Sequence, residues 1–165
     1  MTKHLEKSAE IAIRQCMAVK PGETVLVVAD EPTRNVGRAL WEKAVEAGAE
    51  ALYIEMTPRK NDGTEPPAAV AAAMLQADVI LGATSRSISH TQARKEASKK
   101  GARIATLPGI TEDIMQRTLS ADYQTIAAIS EKFADLLTKG KTAHITTPAG
   151  TDLTLSIEGR EGHPD

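Results

Sequence analysis

One cysteine, four aromatic side chains and no excess of charge of either sign set the first limits on this 165-residue chain. A single thiol, Cys16, excludes an internal disulfide and any thiolate-rich metal site. Trp41, Tyr53, Tyr123 and Phe133 make up 2% of residues, against 41% hydrophobic overall, so the core has to be built from Val, Ile, Leu, Met and many Ala. Such small side chains suit close packing of helices on a sheet. The formal net charge of −2, with both signs interspersed, gives no field to attract nucleic acid or an anionic membrane. There is no signal-peptide core and no long apolar span, which gives the expectation of a cytoplasmic protein.

Several chemical signatures are also missing. The four histidines, His4, His90, His144 and His163, are scattered without a His-x-x-x-His or His-x-Glu pairing, so zinc spacing is absent. The turn after the first apolar run reads A-D-E-P-T-R-N-V-G, with neither a Gly-x-Gly-x-x-Gly nor a Walker-type loop, so a nucleotide would lack its phosphate cradle. Ser85, Ser87 and Ser89 are close together, but no Gly-x-Ser-x-Gly elbow surrounds them.

What is present alternates regularly. Residues 3–18 carry apolar positions three and four apart and read as an amphipathic helix with Cys16 on its buried stripe. Val25–Ala29 is an uninterrupted apolar run, the mark of a strand covered on both faces. Thr33 starts a helix that Gly48 ends, with Val36, Leu40, Ala44 and Ala47 on one face. Strands follow at 51–56, 79–84 and 103–107. Between them lie helices near 67–76 and 89–100, and Thr111 begins a short one. Ser120 begins a longer helix with a stripe of Tyr123, Ile126, Ile129, Phe133, Leu136 and Leu137. This pattern predicts an α/β doubly wound parallel sheet of about four strands, Rossmann-like, ordered 2-1-3-4 with helices on both faces. The last segment differs: Thr142–Thr147 and Thr151–Ile157 alternate around Pro148-Ala149-Gly150, a hairpin pattern. The expected division is an α/β domain over 1–139 and, over 140–165, a hairpin that starts a C-terminal metal-binding domain. Since an isolated hairpin is marginal in water, the chain reads as the N-terminal part of a longer protein.

In open α/β sheets ligands gather beyond the carboxyl ends of the strands, which directs attention to Asp78–Arg94. There a strand runs into a hydroxyl-lined turn. Thr84, Ser85, Arg86, Ser87, His90 and Thr91 are the candidate substrate-binding residues, and Ser89 is placed to cap the next helix. A helix start with Arg86 beside it suits a carboxylate or oxyanion. The bland alternative is that Ser and Thr merely cap while Arg86 and His90 face solvent. Asp30-Glu31 after the first strand has the look of a phosphoacceptor pair, but Thr84 stands where such domains need a third-strand aspartate. Capping or solvent exposure is the better reading of that pair, since two adjacent carboxylates make a poor metal site.

Seven segments, among them V-K-P-G-E-T-V-L-V-V-A-D (Val19–Asp30), E-M-T-P-R (Glu55–Arg59), A-D-V-I-L-G-A-T-S-R-S-I-S-H-T-Q-A-R (Ala77–Arg94), L-P-G-I-T-E-D (Leu107–Asp113) and T-P-A-G-T-D-L-T (Thr147–Thr154), run in order along the chain. Together they resemble the N-terminal half of the thermophilic metalloaminopeptidase family typified by aminopeptidases T and S, to which the 2,5-dihydroxypyridine dioxygenases are similar. The resemblance implies a leucyl aminopeptidase-like parent enzyme, a peptide substrate, a homodimer and two divalent metal ions (zinc, cobalt or magnesium). Those metals are held in the family's C-terminal half, so no catalytic or metal-binding residue and no cofactor is assigned to this chain, and the missing C-terminal domain is the expected partner. An iron-dependent ring-cleaving dioxygenase and a stand-alone small-molecule binding module are the alternatives.

Overall fold

An apolar run with no polar alternation has to be covered on both sides, and the two such runs lie at the centre of the sheet. The computed structural model of the chain describes residues 3–119 and 121–164. Strands β1 (Thr24–Asp30), β2 (Glu50–Met56), β3 (Val79–Ala83) and β4 (Arg103–Thr106) form one sheet in the order β2-β1-β3-β4. Every pairing is parallel, with Val25 opposite both Ala51 and Val79, and Val79 opposite Arg103. The predicted fold class and strand order are therefore observed. β1 and β3 are buried from Val25 to Asp30 and from Val79 to Ala83, while β2 and β4 form the half-exposed edges.

Side-chain alternation divides the core between two faces. Val25, Val27, Val79, Leu81 and Ala83 pack with α1 (Lys3–Ile11), α2 (Arg34–Glu46) and α5 (Glu112–Thr118), through Leu5, Val36, Leu40 and Met115. Leu26, Val28 and Ile80 pack with α3 (Ala68–Met74) and α4 (Gln92–Lys99), through Val70, Met74 and Ala97. The alanines serve the close helix-on-sheet packing expected of them. Gly37 is the extreme case, since a Cβ there would lie 2.7 Å from the Ala29 Cβ.

The first helix departs from the periodic expectation. After Ile11 the backbone makes a π-helical turn over Ala12–Cys16. The wider turn moves the next side chains round the axis, so Met17 is buried and Cys16, expected on the apolar stripe, is exposed.

The chain divides into two compact units, Met1–Ser120 and Ala121–Asp165. The second comprises α6 (Tyr123–Lys139) and the antiparallel hairpin β5 (Thr142–Thr146) and β6 (Asp152–Ser156), in which His144 faces Thr154. Contacts thus group the long helix with the hairpin, whereas the sequence division fell at 139/140. Asp122 caps α6, its Oδ1 accepting the N–H groups of Gln124 and Thr125 at 3.1 and 3.3 Å; the expected start at Ser120 lies outside the described residues. The stripe foreseen on this helix is exposed from Ile126 to Leu137, Phe133 at 59% and Leu136 at 55%, with Tyr123 half-buried. Among the described residues no helix is long and apolar enough to cross a membrane.

Candidate functional site

β1, β3 and β4 all end at one edge of the sheet, and three turns meet there. The central feature is Asp30, the last residue of β1 and fully buried. Its Oδ2 accepts the Ser85 N–H at 2.8 Å and the Ser85 hydroxyl at 2.6 Å. Its Oδ1 lies 2.8 Å from Thr33 Oγ1, which also lies 2.6 Å from the Ala83 carbonyl oxygen. In return the Asp30 N–H donates to Thr33 Oγ1 at 3.2 Å, the reciprocal bonding of a capping box around the turn Glu31–Thr33. Of the two bland readings of Asp30, capping holds and solvent exposure does not. The bonds to Ser85 could not be read from local sequence.

The Thr84–Thr91 turn is where the sequence put it, and most of its hydroxyls are already bonded. Thr84 donates to the Arg86 carbonyl at 2.7 Å and is buried. Ser87 donates to Ser89 Oγ at 2.9 Å, and Ser89 Oγ lies 2.8 Å from Thr106 Oγ1 at the end of β4. Thr91, not Ser89, caps α4: its Oγ1 accepts the Arg94 N–H at 3.2 Å and donates to the Ile88 carbonyl at 2.8 Å. His90 therefore precedes the cap instead of lying in the first helical turn. The N–H groups of Gln92 and Ala93, in the first turn of this helix, are taken by the carboxylate of Glu65. Ile88 is fully buried beneath the turn, and the side chains of Arg86 and His90 are exposed. Of the six candidate residues, Arg86 and His90 offer charge and a titratable ring to a ligand; Thr84, Ser85, Ser87 and Thr91 hold the turn together.

Two neighbouring features escaped sequence reasoning. A cleft of about 290 Å³ lies between the Pro32–Val36 and Ile110–Asp113 segments, with Val36 and Ile110 as apolar floor and Asn35, Glu112 and Asp113 at its rim. The Asn35 side-chain amide donates to Glu112 Oε1 at 2.6 Å across it. Leu107-Pro108-Gly109 marked a turn here, but the partner segment is 77 residues away. At the β2 edge Arg34 makes a two-point pair with Glu55, and the Tyr53 hydroxyl donates to the same carboxylate at 3.2 Å. Arg34 holds the Glu55 carboxyl below its ordinary range, and burial pushes the Tyr53 phenol up. The Arg38 guanidinium lies 4.3 Å over the Tyr53 ring.

Among the described residues no group of three or more His, Cys, Asp or Glu side chains is arranged to hold a metal ion. The oxygens of Asp30, Asp62 and Glu65 already accept hydrogen bonds from within the chain. This donor set does not fit the divalent metals that the resemblance implies.

A parallel sheet ordered 2-1-3-4, with helices on both faces and a hydroxyl-rich turn beyond its third strand, defines a doubly wound α/β domain. The sequence profile of the NicX family, 2,5-dihydroxypyridine 5,6-dioxygenase, matches residues 5–163, and the chain belongs to that family. No curated protein matches the sequence. Among solved structures, the 2,5-dihydroxypyridine dioxygenase of Pseudomonas putida is similar at a TM-score of 0.66 with 16% identity, over 94% of this chain and 48% of that one. Wild-type AmpT of Thermus thermophilus is similar at 0.58 with 22% identity, over 93% of this chain and 53% of that one. The chain thus spans about half the length of both. The sequence segments put the aminopeptidases first; the matching profile is that of the dioxygenases, and the aminopeptidase structure shares the fold.

Proposed function

We propose that this chain is the scaffold domain of a cytoplasmic metal-dependent enzyme, whose metal ligands lie in a further domain and whose cleft is walled on one side by the Thr84–Thr91 turn. The match to the dioxygenase profile across residues 5–163 carries this reading and favours oxidative opening of a hydroxylated pyridine-type ring. In that role Arg86 and His90 bind and orient the substrate: the guanidinium faces an ionised oxygen, and the imidazole accepts or returns a proton. The bonded hydroxyls of Ser85, Ser87 and Thr91 hold the backbone from which both side chains project.

A second reading is a homodimeric aminopeptidase that removes N-terminal residues from peptides, favoured by the likeness to AmpT over 93% of the chain. There the same pair would hold a peptide carboxylate or carbonyl.

The deciding experiment gives the intact protein 2,5-dihydroxypyridine with ferrous iron and oxygen, and in parallel a leucine anilide with cobalt, zinc or magnesium. Loss of ring absorbance matched by oxygen uptake is expected. Hydrolysis of the anilide without ring opening would establish the second reading, and neither activity would overturn both. In whichever assay responds, Arg86→Ala and His90→Ala should each raise KM about tenfold, the loss of one charge-assisted contact. Unchanged kinetics would remove the turn from the cleft.

A further inference from the structure

Turns without regular secondary structure leave backbone N–H groups that need partners, and here carboxylates from elsewhere in the chain take those of Ser85 and Ser87 in the turn and those of Gln92 and Ala93 at the start of α4. Asp30, at the end of β1, takes the N–H and hydroxyl of Ser85. Asp62, in the connection after β2, takes the Ser87 N–H at 2.8 Å, while the neighbouring Gly63 N–H donates back to the Ser87 carbonyl at 2.8 Å. Glu65, three residues on, takes the N–H groups of Gln92 and Ala93. Side-chain bonds of Thr84, Ser89 and Thr91 and the buried Ile88 fix the positions between. A Cβ at Gly82 would meet Ile88 Cδ1 at 2.8 Å, so the floor under the turn is closed as well. The turn's two ionisable side chains, Arg86 and His90, fall on residues whose N–H groups none of these carboxylates holds, and both are exposed.

We propose that Asp30, Asp62 and Glu65 are positioning residues, a three-point carboxylate clamp that holds the Ser85–Thr91 turn in the conformation presenting Arg86 and His90 to substrate. This rests on the reading of that turn as a cleft wall. The chemistry of Asp30 argues for a clamp more than for filling of the core. A buried carboxylate is costly unless each oxygen is satisfied, and smaller polar residues close turns at less cost. A carboxylate is also acceptor-only, and Oδ2 receives two Ser85 donors at once. An amide nitrogen in that place would face a donor. The clamp also fills the crevice between the ends of β1 and β3, the place where doubly wound sheets usually seat a ligand. Substrate is thereby moved outward, onto the face where Arg86 and His90 stand.

The test measures amide hydrogen exchange by NMR on this chain, together with kinetics of the intact protein. Asp30→Asn keeps the volume and removes one acceptor oxygen. It should speed exchange of the Ser85–Thr91 amides at least tenfold and leave Val25–Val28 and Val79–Leu81 unchanged. Asp62→Ala, at an exposed position that the core does not need, should loosen the same amides. Ser85→Ala, which keeps the N–H bond to Asp30, should give a smaller effect. In the intact protein Asp30→Asn should raise KM several-fold with kcat nearly kept, and Arg86→Ala should add little on that background. Uniform acceleration across the core in Asp30→Asn, no local change in Asp62→Ala, or fully additive KM effects would each overturn the clamp. If the intact protein turns over neither substrate, the functional reading falls on its own, and the exchange pattern still decides whether the clamp exists.

Discussion

Replacing Gly37 by alanine sets two well-known effects against each other. Gly37 lies inside α2, where alanine is favoured over glycine by about 1 kcal/mol in helix propensity. Against that gain, the added Cβ would sit 2.7 Å from the Ala29 Cβ and 3.0 Å from Tyr53 Cε2. Carbon atoms rest comfortably at roughly 3.5–4.0 Å. Ala29 has no torsion by which to move away, and its strand is hydrogen-bonded on both sides to β2 and β3. The helix must therefore lift from the sheet by something near 1 Å, the gap between the two separations. Overpacking of this kind costs about 1–3 kcal/mol. The shift also strains the bond from Trp41 Nε1 to the Ala51 carbonyl, 3.0 Å long in the native structure and worth about 1 kcal/mol. The net expectation is a loss of about 1–3 kcal/mol. Trp41 is the chain's one tryptophan and lies a single turn beyond the substitution, so its fluorescence reports the transition directly. With an m-value of about 1–3 kcal/mol/M, the urea midpoint should fall by about 1 M. In an Ala29→Gly background the loss should shrink, with a coupling of about 1 kcal/mol. A midpoint unchanged or raised in Gly37→Ala would refute the close contact between α2 and β1.

Two further predictions concern the amino-terminal part of the chain. Glu23 accepts two bonds from Arg103, at 2.7 and 3.0 Å, and the Lys20 N–H at 2.8 Å, and Arg103 first among these holds its carboxyl below the ordinary 4.5. A carboxyl depressed in the folded state stabilises above its unfolded value and loses that contribution as pH falls through the folded one. Stability should therefore decline below about pH 4.5, by less than ~1 kcal/mol for a partly exposed pair, and Glu23→Gln should remove that share; parallel pH profiles of the urea midpoint would contradict it. Cys16, turned outward by the π-helical segment, should react with a small disulfide reagent in the folded protein within minutes; protection lasting until global unfolding would show that the helix keeps its α register through Cys16.

Local periodicity carried most of the fold. The runs Val25–Ala29 and Val79–Leu81 are strands because nothing in them alternates, and both are buried on two faces. The predicted order 2-1-3-4 follows from right-handed crossovers between parallel strands, and the structure has it. The misses have physical causes of one kind. A π-helical turn inserts its extra residue without altering composition, so the stripe that seemed to run from Leu5 to Cys16 breaks one residue before Met17. Ser89 and Thr91 are equally good caps by local chemistry, and the choice falls to Thr91 because Ser89 is drawn to Thr106. The hydroxyl-rich turn was legible as a location, but not what ties its backbone down, since its carboxylate partners lie 25 to 55 residues away in sequence.

The absence read first from the sequence and the buried carboxylate found in the structure are two sides of one arrangement. Nucleotide-binding sheets of this topology need glycines after β1 so that backbone can approach a phosphate. This chain has Asp30-Glu31-Pro32-Thr33 there instead, and proline fixes the turn while removing a donor. The Ser85 N–H beside the crevice finds its acceptor within the chain. Asp30 is that partner: an internal carboxylate takes the place that a ligand's phosphate takes elsewhere, at the same strand ends. A fold so stitched cannot seat a dinucleotide without breaking three hydrogen bonds of a fully buried side chain. On the proposed reading, binding falls to what stands outside the stitch, a guanidinium at Arg86 and an imidazole at His90, which would suit a small anionic or hydroxylated substrate brought against this face.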